Sequence, residues 1–239
     1  MLNHSISKIT FYLFLIFTVP IVFAADELTF AGYGWITRNG NGQPGPNNFS
    51  SSRVRVENDS LIMSMSKDKV VGWLCSEIIS TSYFHFGEFI FELEALPTFD
   101  KKLVFGIFTF PDKSDEDGTN EIDIEFSHWG SLAIPRGNFG LFRKDKDLRG
   151  KPVRFRFDVP EMTERVVVKI LWLPHSIKYS VKSPHINVEW VYSPQNYKDS
   201  IPNLPQRLHL NYWKMPGDIL MSPPDVKVTS FKYFPLDKD

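Results

Sequence analysis

The stretch Asn120-Glu121-Ile122-Asp123-Ile124-Glu125-Phe126 alternates acidic and apolar side chains without a break. Successive side chains of an extended strand point to opposite faces, so Glu121, Asp123 and Glu125 share one face and Ile122, Ile124 and Phe126 the other. The apolar face predicts a strand laid on a core. Neighbours on one face lie about 6.6 Å apart, so ionised carboxylates there repel one another, and at least one is expected to keep its proton to unusually high pH. Such a face is read in three ways: a solvated or aggregation-blocking edge, a hard-cation site, or the raw material of acid and nucleophilic chemistry. In the chemical reading one carboxylate attacks while a protonated carboxyl gives its proton away. The α-carbons of Glu121 and Glu125 stand about 13 Å apart on an ideal strand, so their side chains must lean together to act on one bond.

Outward from this stretch the same extended character recurs. Segments 53–56, 61–65, 86–94, 103–110, 153–159, 165–173, 177–182, 186–192, 207–213 and 226–234 are rich in Val, Ile, Phe and Tyr, and several alternate with period two. Turn signals separate them: Asn39-Gly40, Asn58-Asp59, Asp117-Gly118, Arg149-Gly150, Ser183-Pro184 and Pro223-Pro224. No window keeps a helical apolar stripe over three turns, and the 17 prolines suit loops and edge strands. The expectation is an all-β chain folded as a two-sheet antiparallel sandwich or barrel. Residues 37–52 (TRNGNGQPGPNNFSSS) are expected to form an ordered surface loop, and no repeat or linker divides the chain.

Ile9 to Ala24 form an apolar run preceded by Lys8, ending in Val22-Phe23-Ala24 and followed by Asp26-Glu27. That pattern predicts a signal peptide over 1–24 and a single secreted domain over 25–239. A net charge of -1 gives no general attraction to nucleic acid or to anionic membranes. No membrane partner is expected after signal removal, and a monomer is anticipated. Lone Cys75 lies in an apolar segment and reads as a buried, inert thiol. Aromatic content is 15%, which fills a core and also suits stacking on sugar rings.

Metal and other catalytic motifs are thin. Asp112 to Gly118 (DKSDEDG) fails as an EF-hand loop because its Gly falls at the seventh place of the run and no closing Glu stands at the twelfth. The His residues show no metal-ligand spacing, and no phosphate loop or serine nucleophile elbow is present. Asn48-Phe49-Ser50 and Asn58-Asp59-Ser60 are glycosylation acceptors in a eukaryotic host only.

Residues 120–126 match the E-[hydrophobic]-D-[hydrophobic]-E signature, and on it the chain resembles glycoside hydrolase family 16, which includes lichenases, laminarinases, agarases and xyloglucan transglycosylases. The resemblance implies a concanavalin A-like jelly roll with Glu121 as nucleophile, Glu125 as general acid/base and Asp123 tuning the pair. Without an extra residue between Ile124 and Glu125, the motif looks like the unbulged branch holding lichenases and xyloglucan transglycosylases. Ser76-Glu77 with Ser80, and Phe86-Gly87-Glu88-Phe89, resemble the preceding family strands, where an acid such as Glu77 lines the cleft. Leu103 to Phe110 resembles the strand feeding the catalytic one, with Phe108 and Phe110 at sugar subsites. Leu210-Asn211-Tyr212-Trp213 resembles the late strand supplying a cleft Asn and a stacking Trp, Asn211 and Trp213, and Val226 to Phe234 the closing strand.

By period two, Trp213, Asn211 and His209 share a face, with Leu208, Leu210 and Tyr212 opposite. Asn138 joins the substrate-binding set, and His128 and Trp129 follow the acidic strand closely enough to rim the cleft. Three positions depart from the lichenase pattern: Thr119 replaces a Trp, Ile79 an Arg and Gly140 a Tyr. No cofactor is expected; a structural calcium is known in the family, but no residue pattern places it. The implied activity is endo-hydrolysis of a β-linked, β-glucan-type polysaccharide with retention. A transglycosylase using the same intermediate and a non-catalytic lectin-like jelly roll are the alternatives.

Overall fold

The structure, a computed structural model, describes residues 26–111, 120–142 and 152–236. The expected signal peptide over 1–24, the loop from Asp112 to Gly118, Thr119 and the Arg149-Gly150 turn lie outside the described residues.

In chain order the strands begin with β1 (Glu27–Phe30), β2 (Tyr33–Thr37), β3 (Gly40–Gly42), β4 (Asn47–Phe49), β5 (Val54–Glu57) and β6 (Ser60–Met63). They continue with β7 (Ser66–Asp68), β8 (Gly72–Phe84), β9 (Gly87–Leu96), β10 (Leu103–Phe110), β11 (Ile122–Phe126) and β12 (Gly137–Leu141). The remainder are β13 (Val153–Phe157), β14 (Thr163–Leu173), β15 (Ser176–Ser183), β16 (Ile186–Tyr192), β17 (Gln206–Lys214) and β18 (Val226–Pro235), with a single turn of helix, α1 (Tyr197–Ser200), before β17.

One sheet runs β1-β2-β8-β17-β10-β11-β12-β13, with the short strands β3, β4 and β7 attached beside β8. The second runs β16-β15-β14-β9-β18-β6-β5. Pairing is antiparallel throughout apart from β4 with β8. The two-sheet antiparallel sandwich expected from the sequence is therefore the fold.

The alternation explains which faces meet. On β9, Phe89, Phe91 and Leu93 turn inward, and on β14 so do Val166, Val168, Ile170 and Trp172. Against them the first sheet sets Phe105, Ile107, Ile122, Ile124, Phe126, Leu208, Leu210 and Tyr212, which join one continuous core cluster. Burying each of these side chains stabilises the fold by roughly 1.5–3 kcal/mol. Aromatic rings pack within and between the layers: Phe91 stacks on its neighbour Phe231 with centroids 4.7 Å apart, and Phe139 on Tyr179 of the opposite sheet at 5.1 Å.

Residues 37–52 are more than a loop, because they contain β3 and β4. Phe49 is buried beneath the Arg38 guanidinium, 4.2 Å from its ring centroid, and the Asn47 amide donates to the backbone oxygens of Pro44 and Lys214. Those anchors fix a polar segment whose composition predicts only turns. β8 is the other surprise. Cys75, Ser76, Glu77 and Ile78 are buried in succession, so this central strand, covered on both faces, shows no period-two polarity for sequence reading to find.

Candidate active site

β11 sits between β10 and β12, with Asp123 and Glu125 in its middle. Ile122, Ile124 and Phe126 are fully buried on the core side, which commits the acids to the outer face of the sheet. Glu121 lies just ahead of the strand, but its carbonyl accepts from the Phe142 amide at 2.9 Å, so the ladder extends to it. The Gln206 amide donates to the Asn120 carbonyl at 2.6 Å and braces the entry.

Directly paired residues in an antiparallel sheet project to the same face, so the register reads out the surface around the acids. Glu125 pairs with Gly106 on β10 and Asn138 on β12; Gly106 pairs with Asn211 on β17, and Asn211 with Glu77 on β8. One step along, Asp123 pairs with Phe108 and Gly140, and Phe108 with His209. Beyond β12 the two rows end on the edge strand β13, at Arg156 opposite Asn138 and Arg154 opposite Gly140.

The contacts are specific. Asn138 Nδ2 donates to Glu125 Oε2 at 3.2 Å. Glu77, only 3% exposed, holds Arg38 through one oxygen at 2.7 Å and His209 Nδ1 through the other at 3.0 Å. His209 stacks on Phe108 with centroids 4.8 Å apart, and Phe110 meets the same imidazole edge-on at 6.1 Å. Trp213 lies in T-shaped contact with Trp129 at 6.5 Å. The two glycines beside the acids are required by space. A Cβ at Gly106 would stand 2.7 Å from Asn211 Oδ1, and one at Gly140 2.8 Å from Asp123 Oδ2. The departure at Gly140 thus leaves the volume that Asp123 fills.

Burial dominates the electrostatics. It pushes Glu121 up to about 7, helped by the charges of Glu125 and Glu77 and opposed by a hydrogen bond from Asp123. Burial and the neighbouring Asp123 charge push Glu125 up to about 8, against the pull of Arg154, Arg156 and the Asn138 hydrogen bond. Asp123 rises well above the usual carboxyl range, first through burial and then through Glu121. The Glu121–Asp123 hydrogen bond favours charge on Glu121 and the proton on Asp123. Asp123 Oδ1, Asn138 Oδ1 and Asn211 Oδ1 are buried with no hydrogen-bond partner among the described residues.

The structure therefore gathers Glu121, Asp123, Glu125, Glu77, Phe108, Phe110, Asn138, Asn211 and Trp213 on one face. His128 behaves differently: its ring nitrogens are 3.0 Å from the Ile134 carbonyl and 3.2 Å from Glu161, which also binds Arg136 at 2.8 Å. It braces the loop after β11 and has no free nitrogen to offer a ligand. Sequence reasoning left out Arg38, Arg154 and Arg156. Arg154 and Arg156 had a signal in the alternation of Val153 to Phe157, but nothing there says which strand they lie beside. Among the described residues no group of His, Cys, Asp and Glu side chains is arranged for a metal ion. Cys75 is fully buried and its thiol is pushed up to about 12 by burial.

No curated protein sequence matches the chain. Among solved structures, a prokaryotic β-1,3-1,4-glucanase (lichenase) derived from a mouse hindgut metagenome is 18% identical, with TM-score 0.64 over 90% of this chain and 100% of its own. The Bacillus licheniformis β-glucanase is 18% identical, with TM-score 0.63 over 88% of this chain and 97% of its own. The laminarinase catalytic domain from Thermotoga maritima is 14% identical, with TM-score 0.67 over 85% and 92%. These likenesses show a shared jelly-roll sandwich. The sequence model of glycosyl hydrolases family 16 matches residues 46–228, more than three quarters of the chain, with the acid-bearing strand inside the match. The chain belongs to glycosyl hydrolases family 16.

Proposed function

We propose that the chain is a secreted, endo-acting retaining glycosidase that cleaves a β-linked polysaccharide of the β-glucan type. One observation carries the reading: Glu121, Asp123 and Glu125 stand on one strand face where burial raises all three proton affinities, Glu121 to about 7 and Glu125 to about 8, and Glu121 is hydrogen-bonded to Asp123. Between those values Glu121 is ionised and Glu125 still holds a proton, the pairing that double displacement needs. The solved relatives named as a β-1,3-1,4-glucanase and a laminarinase support a β-glucan, and the N-terminal apolar run supports secretion.

In the first step a Glu121 oxygen attacks the anomeric carbon as the glycosidic C–O bond breaks, and Glu125 passes its proton to the departing oxygen. Asp123, hydrogen-bonded to Glu121, steadies the attacking carboxylate. In the second step Glu125, now ionised, takes a proton from water. That water attacks the anomeric carbon, the ester bond to Glu121 breaks, and both residues regain their starting states. Phe108, Phe110 and Trp213 offer ring faces and edges to sugars. Asn138 and Asn211 stand beside the acids, and their buried oxygens, without a partner among the described residues, would have to turn outward to accept from sugar hydroxyls.

The test is to incubate the mature protein with mixed-linkage β-glucan, laminarin, xyloglucan, agarose and carrageenan and to measure new reducing ends, with Glu121→Gln in parallel. Cleavage lost in Glu121→Gln, rising through about pH 7 and falling through about pH 8, is expected. Binding of one polymer equally by both proteins, with no cleavage by either, refutes the hydrolase and leaves a lectin. Transfer of the cleaved chain to added acceptor sugars in place of water makes it a transglycosylase.

A further inference from the structure

β13 closes one side of the sheet that bears the acids. Its alternation puts Val153, Phe155 and Phe157 toward the core side, where Phe155 and Phe157 stack on Phe139. Arg154 and Arg156 therefore face outward, in direct register through Gly140 and Asn138 with Asp123 and Glu125. Both arginines are exposed. Arg154 lies over the Phe142 ring at 6.0 Å, and neither arginine forms an ion pair with a carboxylate among the described residues. Both are near enough to pull down the proton affinity of Glu125.

Elsewhere on the same face Arg38 is committed to Glu77, and Arg207 lies over the Tyr83 ring at 5.0 Å. The acids thus have beside them, along β13, two adjacent guanidinium groups that pair with no carboxylate among the described residues. Two strand spacings separate Arg156 from Glu125, about 9.5 Å. The arginines therefore address a sugar beside the reacting bond and leave that bond to the acids. A neutral glucan uses an arginine only as a donor to hydroxyl oxygens, whereas a sulfate or carboxylate matches both the charge and the fork geometry of two adjacent arginines.

We propose that Arg154 and Arg156 form an anion-recognition subsite, so that the polysaccharide carries sulfate or carboxylate groups on the sugars lying along β12 and β13. The proposal rests on the glycosidase reading above and narrows its substrate class. Edge strands also carry charge merely to prevent sheet-to-sheet association, and cations near buried acids also damp their charge; the experiment separates all three roles.

Hydrolysis is compared on neutral mixed-linkage β-glucan, its carboxymethylated form, neutral agarose and sulfated carrageenan, for the native protein and for Arg154→Gln/Arg156→Gln. Binding of the same four polymers is measured in the Glu121→Gln background, with and without the arginine changes. The subsite predicts that the ratio of kcat/KM on the anionic polymer to that on its neutral counterpart falls about fivefold or more in the double variant, each arginine supplying at most the twofold to fivefold of an exposed ion pair. Added salt lowers the same ratio, and the carboxymethyl and sulfate arms show which anion is preferred. An equal change on neutral and anionic polymers, or a shift of the pH limbs alone, overturns the subsite and leaves the arginines as tuners of the acids. No change in any measurement also overturns it and leaves edge protection. If no polymer is cleaved the glycosidase reading fails, while the binding arm still decides the subsite through the same anionic-to-neutral ratio.

Discussion

Replacing Glu125 with Gln is expected to abolish activity and, at high pH only, to stabilise the fold. The folded protein holds the Glu125 proton up to about 8, against the ordinary carboxyl value of 4.5. A carboxyl whose folded value is raised stabilises the native state below the unfolded value, and that contribution is lost as pH rises through the folded value. The window for Glu125 is therefore from about 4.5 to about 8. A displacement of 3.5 between those values corresponds to an upper limit of about 5 kcal/mol at 1.36 kcal/mol per unit. Solvent entry into an outer-face site lowers the realised effect to about 2–3 kcal/mol. Gln keeps an oxygen for Asn138 Nδ2, so the 3.2 Å hydrogen bond survives the change. Removing the charge also relieves Glu121, whose proton affinity Glu125 raises, and this adds with the same sign. The assay is urea unfolding of both proteins at about pH 5 and about pH 9, on either side of the titration. Glu125→Gln should gain about 2–3 kcal/mol relative to the native protein between the two conditions, equivalent to about 4–12 °C in Tm for a domain of this size. An unchanged difference between the two proteins at both pH values would show that Glu125 titrates like an exposed carboxyl, and the acid role built on its raised value would fall with it.

Gly140→Ala places a Cβ 2.8 Å from Asp123 Oδ2 and 3.2 Å from its Cβ, so Asp123 must turn away from its place between Glu121 and Glu125. Steady-state kinetics should show kcat reduced about tenfold or more with KM little changed, because displacements of about 1 Å are costly in a preorganised site, while unfolding changes by only about 1–3 kcal/mol; native kcat would refute the positioning role of Asp123. Cys75, fully buried with its thiol pushed up to about 12, should resist thiol reagents at pH 8 in the native state and react at once in denaturant. Rapid native labelling would contradict the packing of β8.

Much of the fold was legible because its signals are local. The extended segments read at 103–110, 186–192 and 226–234 became β10, β16 and most of β18 with almost the same bounds. What failed to show were strands whose burial is set by neighbours on both faces, such as β8, and strands too glycine-rich to look extended. β12 reads Gly-Asn-Phe-Gly-Leu, poor in β-forming residues, and is held as a strand by β11 and β13 and by Tyr179, whose hydroxyl donates to the Gly140 carbonyl at 2.7 Å. Residues 37–52 carry turn composition throughout, and only the burial of Phe49 and Asn47 makes β4 a sheet element.

By itself the sequence determined that Glu121, Asp123 and Glu125 share a face, because side-chain alternation is a property of any extended strand. It also fixed the opposite, apolar face and so the two-sheet class. Tertiary structure alone decided what surrounds the acids. Glu77 and Asn211 are far apart in the chain yet adjacent across β8 and β17, and Arg154 and Arg156 meet the acid rows only through the register of β12 with β13. Strand order and register in a sandwich come from non-local pairing. The raised proton affinities of Glu121 and Glu125 come from burial that no short stretch of sequence contains. The three acids were written locally; their environment, on which the proposed division into acid and nucleophile depends, exists only once the sheets have closed.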